Sequence, residues 1–461
     1  LEARRAKLEF ASCLGPKIEG PGLWEYPEPW RQALRWRALS LYRPSSPPMR
    51  ILRLGVRDFR GFTALDLELE HDVTVLVGVN GAGKTSLLDA MGLLLTYISA
   101  GVRTGRSKGT QLAQADVRAG AATTMVTLTA ELDGESATWA AARTRPGYPA
   151  EQRSNLEELS PIIARTQRSI ADGTPALPLA VYFPTNRNVL DIPQRIRTAH
   201  EFDPVSAYDG ALQGGARNFR GFFEWYREEE DLDNEQRLRR TDQPPSRLPQ
   251  VRAAIEALFP GAQDLRIERK PQRMTLEHGG VRLDVGQLSD GEKCLLALAG
   301  DLARRMVMAA PRASQPLEQP AVVLIDEIEL HLHPGLQRTI VPRLRQVFPN
   351  TQLIVSTHSP QVLSSVRAHN VRLLDHFRLR EVKRGTWHRD TNRVLEAAFD
   401  DSGRPPEVAR KFIELREAVD RDDHIKARTL IRQLRELIEG DDPDVHFLEQ
   451  LLPPGSVAED P

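Results

Sequence analysis

The sequence predicts an α/β protein built on a parallel core sheet, with an antiparallel β subdomain, a helical insertion and a helical C-terminal tail. Three observations predict it. Short apolar runs without alternation, such as Val73 to Val77, Leu179 to Phe183 and Ala321 to Ile325, mark strands buried on both faces. Helical stretches alternate with the last of these runs, the pattern of a parallel sheet. A glycine-rich turn, Gly78 to Gly83, joins the first run to a helix, where such folds place ligands.

The elements follow in order. Residues 1–48 carry Trp24, Trp30, Trp36 and many prolines and end in Arg43-Pro-Ser-Ser-Pro-Pro48, an extension that reads as an over-extended gene start or a fragment, with translation beginning at Met49, more readily than as a docking arm with aromatic anchors. An N-terminal lobe is expected over 49–143. In it Ile51 to Asp58 and Leu65 to Leu69 alternate like half-buried antiparallel strands, and a helix runs from about Thr85 to Ala100. Met125 to Leu132 and Ala137 to Arg143 form a hairpin around Asp133-Gly134. Residues 144–260 read as an insertion or helical subdomain, with the strand Leu179 to Phe183 and a helix from Asn218 to Arg240 that opens on Phe219, Phe222, Phe223, Trp225 and Tyr226. Those aromatics suit a helix packed on the core better than a docking face or a base-stacking platform.

A C-terminal lobe is expected over 261–376. Three short strands (Leu265 to Glu268, Arg273 to Glu277, Val281 to Val285) precede a helix from Asp290 to Met308 and the strand Ala321 to Ile325. One helix from Gly335 to Val347, a strand from Gln352 to Ser356, a short helix and a strand from Val371 to Leu374 complete it. Residues 377–461 form the tail, where Ala427 to Ile438 is strongly amphipathic.

Composition narrows the function classes. Lys+Arg 62 against Asp+Glu 63 leaves a formal net charge of -1, which excludes a strongly basic nucleic-acid coat or a polybasic membrane binder. The two cysteines, Cys13 and Cys294, lack metal-ligand spacing, so neither a disulfide framework nor a cysteine zinc site is expected, and a reducing cytoplasm is the expected compartment. No secretory signal is visible, and the apolar stretch Leu87 to Val102 contains Asp89 and is too short to span a bilayer, so no membrane partner is expected.

The chemistry concentrates in four places. Gly78-Val-Asn-Gly-Ala-Gly-Lys-Thr85 matches GxxxxGK[ST] between a buried strand and a helix. Its turn, with Gly78, Asn80, Gly81 and Gly83, would aim backbone N–H groups at phosphates, Lys84 would reach the β and γ phosphates of ATP, and Thr85 would ligate Mg2+. Val322 to Glu327 runs four apolar residues into two acids at a strand end. Asp326 would hold the Mg2+ opposite Thr85, and Glu327 would act as general base toward water. Leu288-Ser-Asp-Gly-Glu-Lys293 opens a helix, with Ser289 and Glu292 in capping-box register. Val355-Ser-Thr-His-Ser359 carries His358 at another strand end. Between them lies Glu329-Leu-His-Leu-His-Pro334, whose His331 and His333 lack a third ligand at metal spacing.

The order of these motifs resembles the ATP-binding-cassette (ABC) ATPases, and within them the RecF, SMC and OLD-like AAA-domain branch. The resemblance implies a head-type P-loop fold in which Ser289 and Gly291 of one protomer cap the γ-phosphate on the other. The usual first glycine of the signature is Asp290 here, which is expected to make that turn less permissive. The resemblance further implies that His358 is the switch histidine, that residues 329–334 form a D-loop crossing a dimer interface, and that a Q-loop glutamine lies among Gln111 and Gln114.

The proline-interrupted stretch between Lys84 and Ser289 excludes a long coiled-coil arm, and the residues after His358 leave no room for a Toprim domain. Asp58-Phe-Arg-Gly-Phe62, the stretch from Tyr208 to Gln213, Phe219 to Arg227 and Arg404-Pro-Pro-Glu-Val408 extend the similarity to the ATPase subunit of Septu antiphage systems, over roughly residues 49 to 452. That similarity implies an ATP-hydrolysing homodimer, or a higher oligomer, that regulates a separate HNH-type effector nuclease. The alternative is a DNA-repair ATPase that clamps nucleic acid directly and so shows steep salt dependence. A transporter cassette would instead follow a permease into the membrane fraction.

Overall fold

The computed structural model describes residues 49–105, 108–132, 134–150, 152–172, 177–186, 202–213, 216–239, 246–380, 404–438 and 442–453. The extension over 1–48 and the turn residue Asp133 lie outside the described residues.

In chain order, β1 (Arg50–Phe59), β2 (Phe62–Glu68) and β3 (Val73–Val77) lead into helix α1 (Lys84–Thr104). The hairpin β4 (Thr123–Leu132) and β5 (Glu135–Thr144) follows, then α2 (Leu159–Ala171) and β6 (Leu179–Phe183). Helices α3 (Ala216–Arg239) and α4 (Leu248–Leu258) precede β7 (Ala262–Arg269), β8 (Gln272–His278) and β9 (Val281–Asp284). Next come α5 (Asp290–Ala309), β10 (Ala321–Ile325), α6 (Pro334–Gln337), α7 (Ile340–Val347), β11 (Thr351–Thr357) and α8 (Pro360–Leu363). The sheet ends with β12 (Val371–Asp375) and β13 (Arg378–Arg380), and the tail is α9 (Pro406–Asp420), α10 (His424–Leu437) and α11 (Pro443–Gln450).

The main sheet has the order β13-β12-β3-β11-β10-β6, parallel except for β13. Strands β3, β6, β10 and β11 are buried at every residue, as the nearly unbroken apolar runs of β3, β6 and β10 require, while β11 also buries Thr351, Gln352, Ser356 and Thr357. A second, antiparallel sheet, β2-β1-β4-β5, packs beside it. Gln352, buried on β11, joins the two: its amide accepts from Ile51 N at 2.8 Å and donates to the carbonyls of Ile51 and Glu70, both at 2.8 Å. Helix α1 is long and apolar enough by composition to cross a membrane, but most of it is buried within the core, with Trp139 of β5 donating to Leu94 O at 3.0 Å.

Three expectations change. The strand Leu179–Phe183 pairs in parallel with β10 and belongs to the core sheet, so 144–260 is not wholly an insertion. The sheet also runs past residue 376: after a turn in which His376 and Phe377 take left-handed φ of 44° and 62°, β13 returns antiparallel to β12. The helix expected over Gly335 to Val347 is two pieces, α6 and α7. Pro342 has no N–H to give to Arg338, so the helix is not continued through residues 338–339 and restarts at Ile340.

The aromatic cluster of α3 is core. Phe219, Phe222, Phe223, Trp225 and Tyr226 are all buried. Phe222 packs on Gly300 of α5, where a Cβ would stand 2.7 Å from the ring. Neither a docking face nor a stacking platform is available there. The tail has its own hydrophobic cluster, from Val408 to Leu452. Arg404 closes it, bonding Asp442 through Nη1 (2.6 Å) and Nη2 (3.1 Å) and Asp444 at 2.6 Å, with its guanidinium 3.9 Å above Phe412.

Candidate nucleotide site

Three neighbouring parallel strands end at one edge of the sheet. Because β3, β11 and β10 pair in register (Val77 with Thr357, Val355 with Ile325), the residues that follow them emerge side by side. Those residues are Gly78, His358 and Asp326. This is the carboxyl edge where parallel α/β sheets hold ligands.

The glycine turn is fitted closely to what lies behind it. Gly83, the N-cap of α1, has φ 103°, and a Cβ there would stand 2.5 Å from the Phe62 ring and 2.9 Å from Phe377. These two rings meet edge-on, with centroids 5.1 Å apart, and form a rigid floor under the turn. Asn80, Gly81 and Thr85 are exposed, whereas Lys84 is buried and donates to the carbonyls of Gly78 (2.7 Å) and Val79 (3.2 Å). Burial pulls the Lys84 ammonium down from the ordinary lysine range, and the nearby Glu327, Glu329 and Asp326 oppose that shift.

The two halves of the site meet at Thr85. Its hydroxyl donates to Asp326 Oδ2 at 2.9 Å, although 241 positions separate them in sequence. Asp326 is buried. Its other oxygen accepts from Ser356 Oγ at 2.5 Å, and its N–H donates to Phe183 O at 2.9 Å. Ser356 Oγ also accepts from Glu327 N at 2.8 Å, and Glu327 takes a left-handed φ of 45°. A hydroxyl and a carboxylate are hard oxygen donors, the set that suits Mg2+, so these residues fit that ion.

On the adjacent strand end, His358 is half exposed and its Nδ1 lies 2.9 Å from Glu329 Oε1. Ser289 N-caps α5 in the expected capping box with Glu292. Among the described residues its hydrogen bonds stay within that first turn, and none reaches the glycine turn. Gly291 packs on the backbone of His331, whose φ is 62°; a Cβ there would stand 3.2 Å from the His331 carbonyl carbon and nearer still to its oxygen. Asp290 needs no glycine. It is the first residue of α5 with ordinary helical φ, where its charge favours the helix N-terminus and lies 3.6 Å from Lys293, so the expected loss of permissiveness does not arise. Among the described residues no three His, Cys, Asp or Glu side chains gather as a metal cluster, and His333 caps α6 by accepting from Gly335 N at 3.2 Å. Gln111 and Gln114 are both exposed.

The chain matches the family model described as "AAA domain, putative AbiEii toxin, Type IV TA system" over residues 191–364, and a second described as "AAA domain" over residues 53–258. The Retron Ec83 probable ATPase of Escherichia coli is 29% identical over 435 residues, covering 81% of this chain and 80% of that protein. The Septu protein PtuA of Bacillus mycoides is 33% identical over 110 residues (24% and 15%), and the DNA replication and repair protein RecF of an Arthrobacter species is 51% identical over 51 residues (11% and 13%).

The chain is similar to AAA-domain ATPases of the RecF-like kind.

Two side chains of the site carry little signal in the sequence. Ser356 lies inside the motif that points to His358, and its signal is a polar residue directly after the apolar run Leu353 to Val355. Glu329, buried beside His358, was grouped with a loop expected to cross an interface; the signal was a third acid two positions after Glu327. The other stretches behind the family resemblance serve packing. Arg60 spans Asp89 (2.6 Å) and Asp116 (3.0 Å), and Arg220 donates to Glu224 at 3.0 Å.

Proposed function

We propose that this protein binds ATP with Mg2+, hydrolyses it, and closes as a homodimer around two nucleotides to switch a partner effector. The observation that carries the reading is the 2.9 Å hydrogen bond from Thr85 to Asp326 beside buried Lys84. It gathers a phosphate cradle and a hard-oxygen pair at one strand edge.

In this reading Lys84 exchanges the carbonyls of Gly78 and Val79 for β- and γ-phosphate oxygens. Thr85 and Asp326 hold Mg2+, which neutralises charge on those oxygens when bound. Glu327, whose backbone is fixed by Ser356 Oγ, accepts the proton of the attacking water. His358 faces the terminal phosphate. Ser289 and Gly291 of the second copy cap that phosphate from an exposed helix N-terminus, which favours anions. Closure is then coupled to ATP because the nucleotide binds the closed dimer preferentially.

The likeness to a retron ATPase and to a Septu protein supports a defence-associated role. In this reading the protein works in the cytoplasm and its effector is a separate nuclease of HNH type. Glu327→Gln is the test. It should retain ATP binding, lose hydrolysis by about 10²-fold or more, and accumulate as a dimer on a sizing column in ATP-Mg2+. A Glu327→Gln protein that stays monomeric in saturating ATP-Mg2+ overturns the composite site.

A further inference from the structure

We infer that Glu329 is a positioning residue for His358, resting on the proposal that this site hydrolyses ATP. One oxygen of Glu329 takes two bonds from the same residue: His358 N donates to Oε1 at 2.7 Å, and His358 Nδ1 lies 2.9 Å from that atom. The first bond fixes the backbone at the end of β11 and the second fixes the ring. A carboxylate can only accept, so Nδ1 carries the proton, and Nε2 on the opposite side of the half-exposed ring is the nitrogen left to meet a ligand.

Glu329 is itself held in place. Ile328 N donates to Ser356 O at 3.1 Å and Leu332 N to Glu329 O at 2.9 Å, so the turn after β10 is tied to β11 at the base of the carboxylate.

The second oxygen separates this from a purely structural clip. Glu329 Oε2 is buried and has no hydrogen-bond partner among the described residues. Burying a carboxylate with one oxygen unsatisfied is unfavourable, and a neutral amide would hold the His358 backbone N–H equally well. What the carboxylate adds is an oxygen that can only accept at Nδ1, where an amide could turn its NH2 toward the ring. Glu329 therefore sets both the tautomer and the orientation of His358.

The experiment uses the full chain. In steady-state hydrolysis with ATP-Mg2+, Glu329→Ala should lower kcat about tenfold, as loss of an orienting partner of a ring nitrogen does, with KM and the affinity for a fluorescent ATP analogue nearly unchanged. Glu329→Gln, which keeps an acceptor oxygen, should lie between Glu329→Ala and wild type. Combined with His358→Ala, Glu329→Ala should cost nothing further, because the two act as one unit. Losses that multiply in the double variant overturn the inference. If Glu329→Ala does not fold, the Gln variant carries the same cycle.

A second readout is independent of turnover. In ¹⁵N-histidine-labelled protein, with His358 assigned by its absence in His358→Asn, the ring should be protonated at Nδ1. It should lose that preference in Glu329→Ala. An Nε2-protonated neutral ring in the wild type overturns the positioning role. If the wild type binds ATP but does not hydrolyse it, the proposed function fails, while the tautomer measurement still decides the role of Glu329.

Discussion

Replacing Gly291 with alanine sets two forces of opposite sign against each other. Gly291 is the second residue of α5, and its φ is ordinary for a helix. In an exposed helix such a substitution stabilises by up to about 1 kcal/mol, because alanine loses less backbone entropy. Here the new Cβ would stand 3.2 Å from the His331 carbonyl carbon, 3.7 Å from Leu332 Cα, and inside the van der Waals surface of the His331 oxygen. The gap is short by roughly an ångström, and the neighbour is backbone, which cannot swing aside as a side-chain tip can. Overpacking of this kind costs about 1–3 kcal/mol, so steric cost wins. Gly291→Ala should be destabilised by about 1–2 kcal/mol, the overpacking cost less the helix gain. Urea denaturation measures the first effect. ATP affinity should hold, because Lys84 and Thr85 are untouched, while turnover falls as the turn bearing Glu327 is displaced. A stabilised Gly291→Ala protein with full turnover would refute the close packing of the signature turn on the D-loop.

Three further outcomes are expected. Gly83→Ala forces a left-handed alanine against Phe62 and Phe377 and should abolish measurable ATP binding in calorimetry; the backbone term alone is about 1–2 kcal/mol. Asp301→Ala strands the buried guanidiniums of Arg304 and Arg305, now 2.7 Å and 2.8 Å from that carboxylate, and should lower unfolding free energy by about 3–5 kcal/mol in urea titration. In the tail, hydrogen bonds from Arg404 hold the Asp442 carboxyl below its ordinary range, so its stabilisation is present above about pH 4 and lost as pH falls through the lowered value. The difference in unfolding free energy from urea titration between wild type and Asp442→Asn should therefore be about 1–2 kcal/mol at neutral pH and shrink toward zero in acid.

The core strands and the phosphate motif were legible because each is local. Five buried residues in a row identify β3, β6 and β10, and the spacing from Gly78 to Thr85 needs no distant partner. What stayed hidden depends on contacts between distant segments. That Leu179–Phe183 completes the main sheet follows from pairing with β10, well over a hundred residues on. Glu329 reads as one more loop acid until β10 and β11 align and bring His358 to it. Arg404 and Arg60 sit in stretches that carry the family resemblance, yet their partners (Asp442, Asp444, Asp89, Asp116) show them clamping segments of the fold together. A motif argument weights residue identity, and arginines that bind phosphate and arginines that clamp a fold look alike until their partners are seen.

The turn after β10 concentrates the consequences. Within a few residues Asp326 receives Thr85 and Ser356, Glu329 receives His358, and His331 presses on Gly291 of the signature helix. The bonds from Glu327 N and Ile328 N to Ser356 prevent this turn from shifting without β11. A change at the Asp326 carboxylate therefore reaches the N-terminus of α5 through the backbone of His331 and Leu332 packed on Gly291. In the proposed dimer that N-terminus faces the partner's nucleotide, so each chain's own hydrolytic turn would set the quality of the cap it offers its neighbour. The coupling separates two variants that both lose turnover. Gly291→Ala should weaken ATP-driven dimerisation while sparing each monomer's ATP affinity, whereas Glu327→Gln should strengthen dimerisation. If both variants accumulate equally as ATP-bound dimers, the two turns are not mechanically linked, and the signature helix responds to the partner's nucleotide alone.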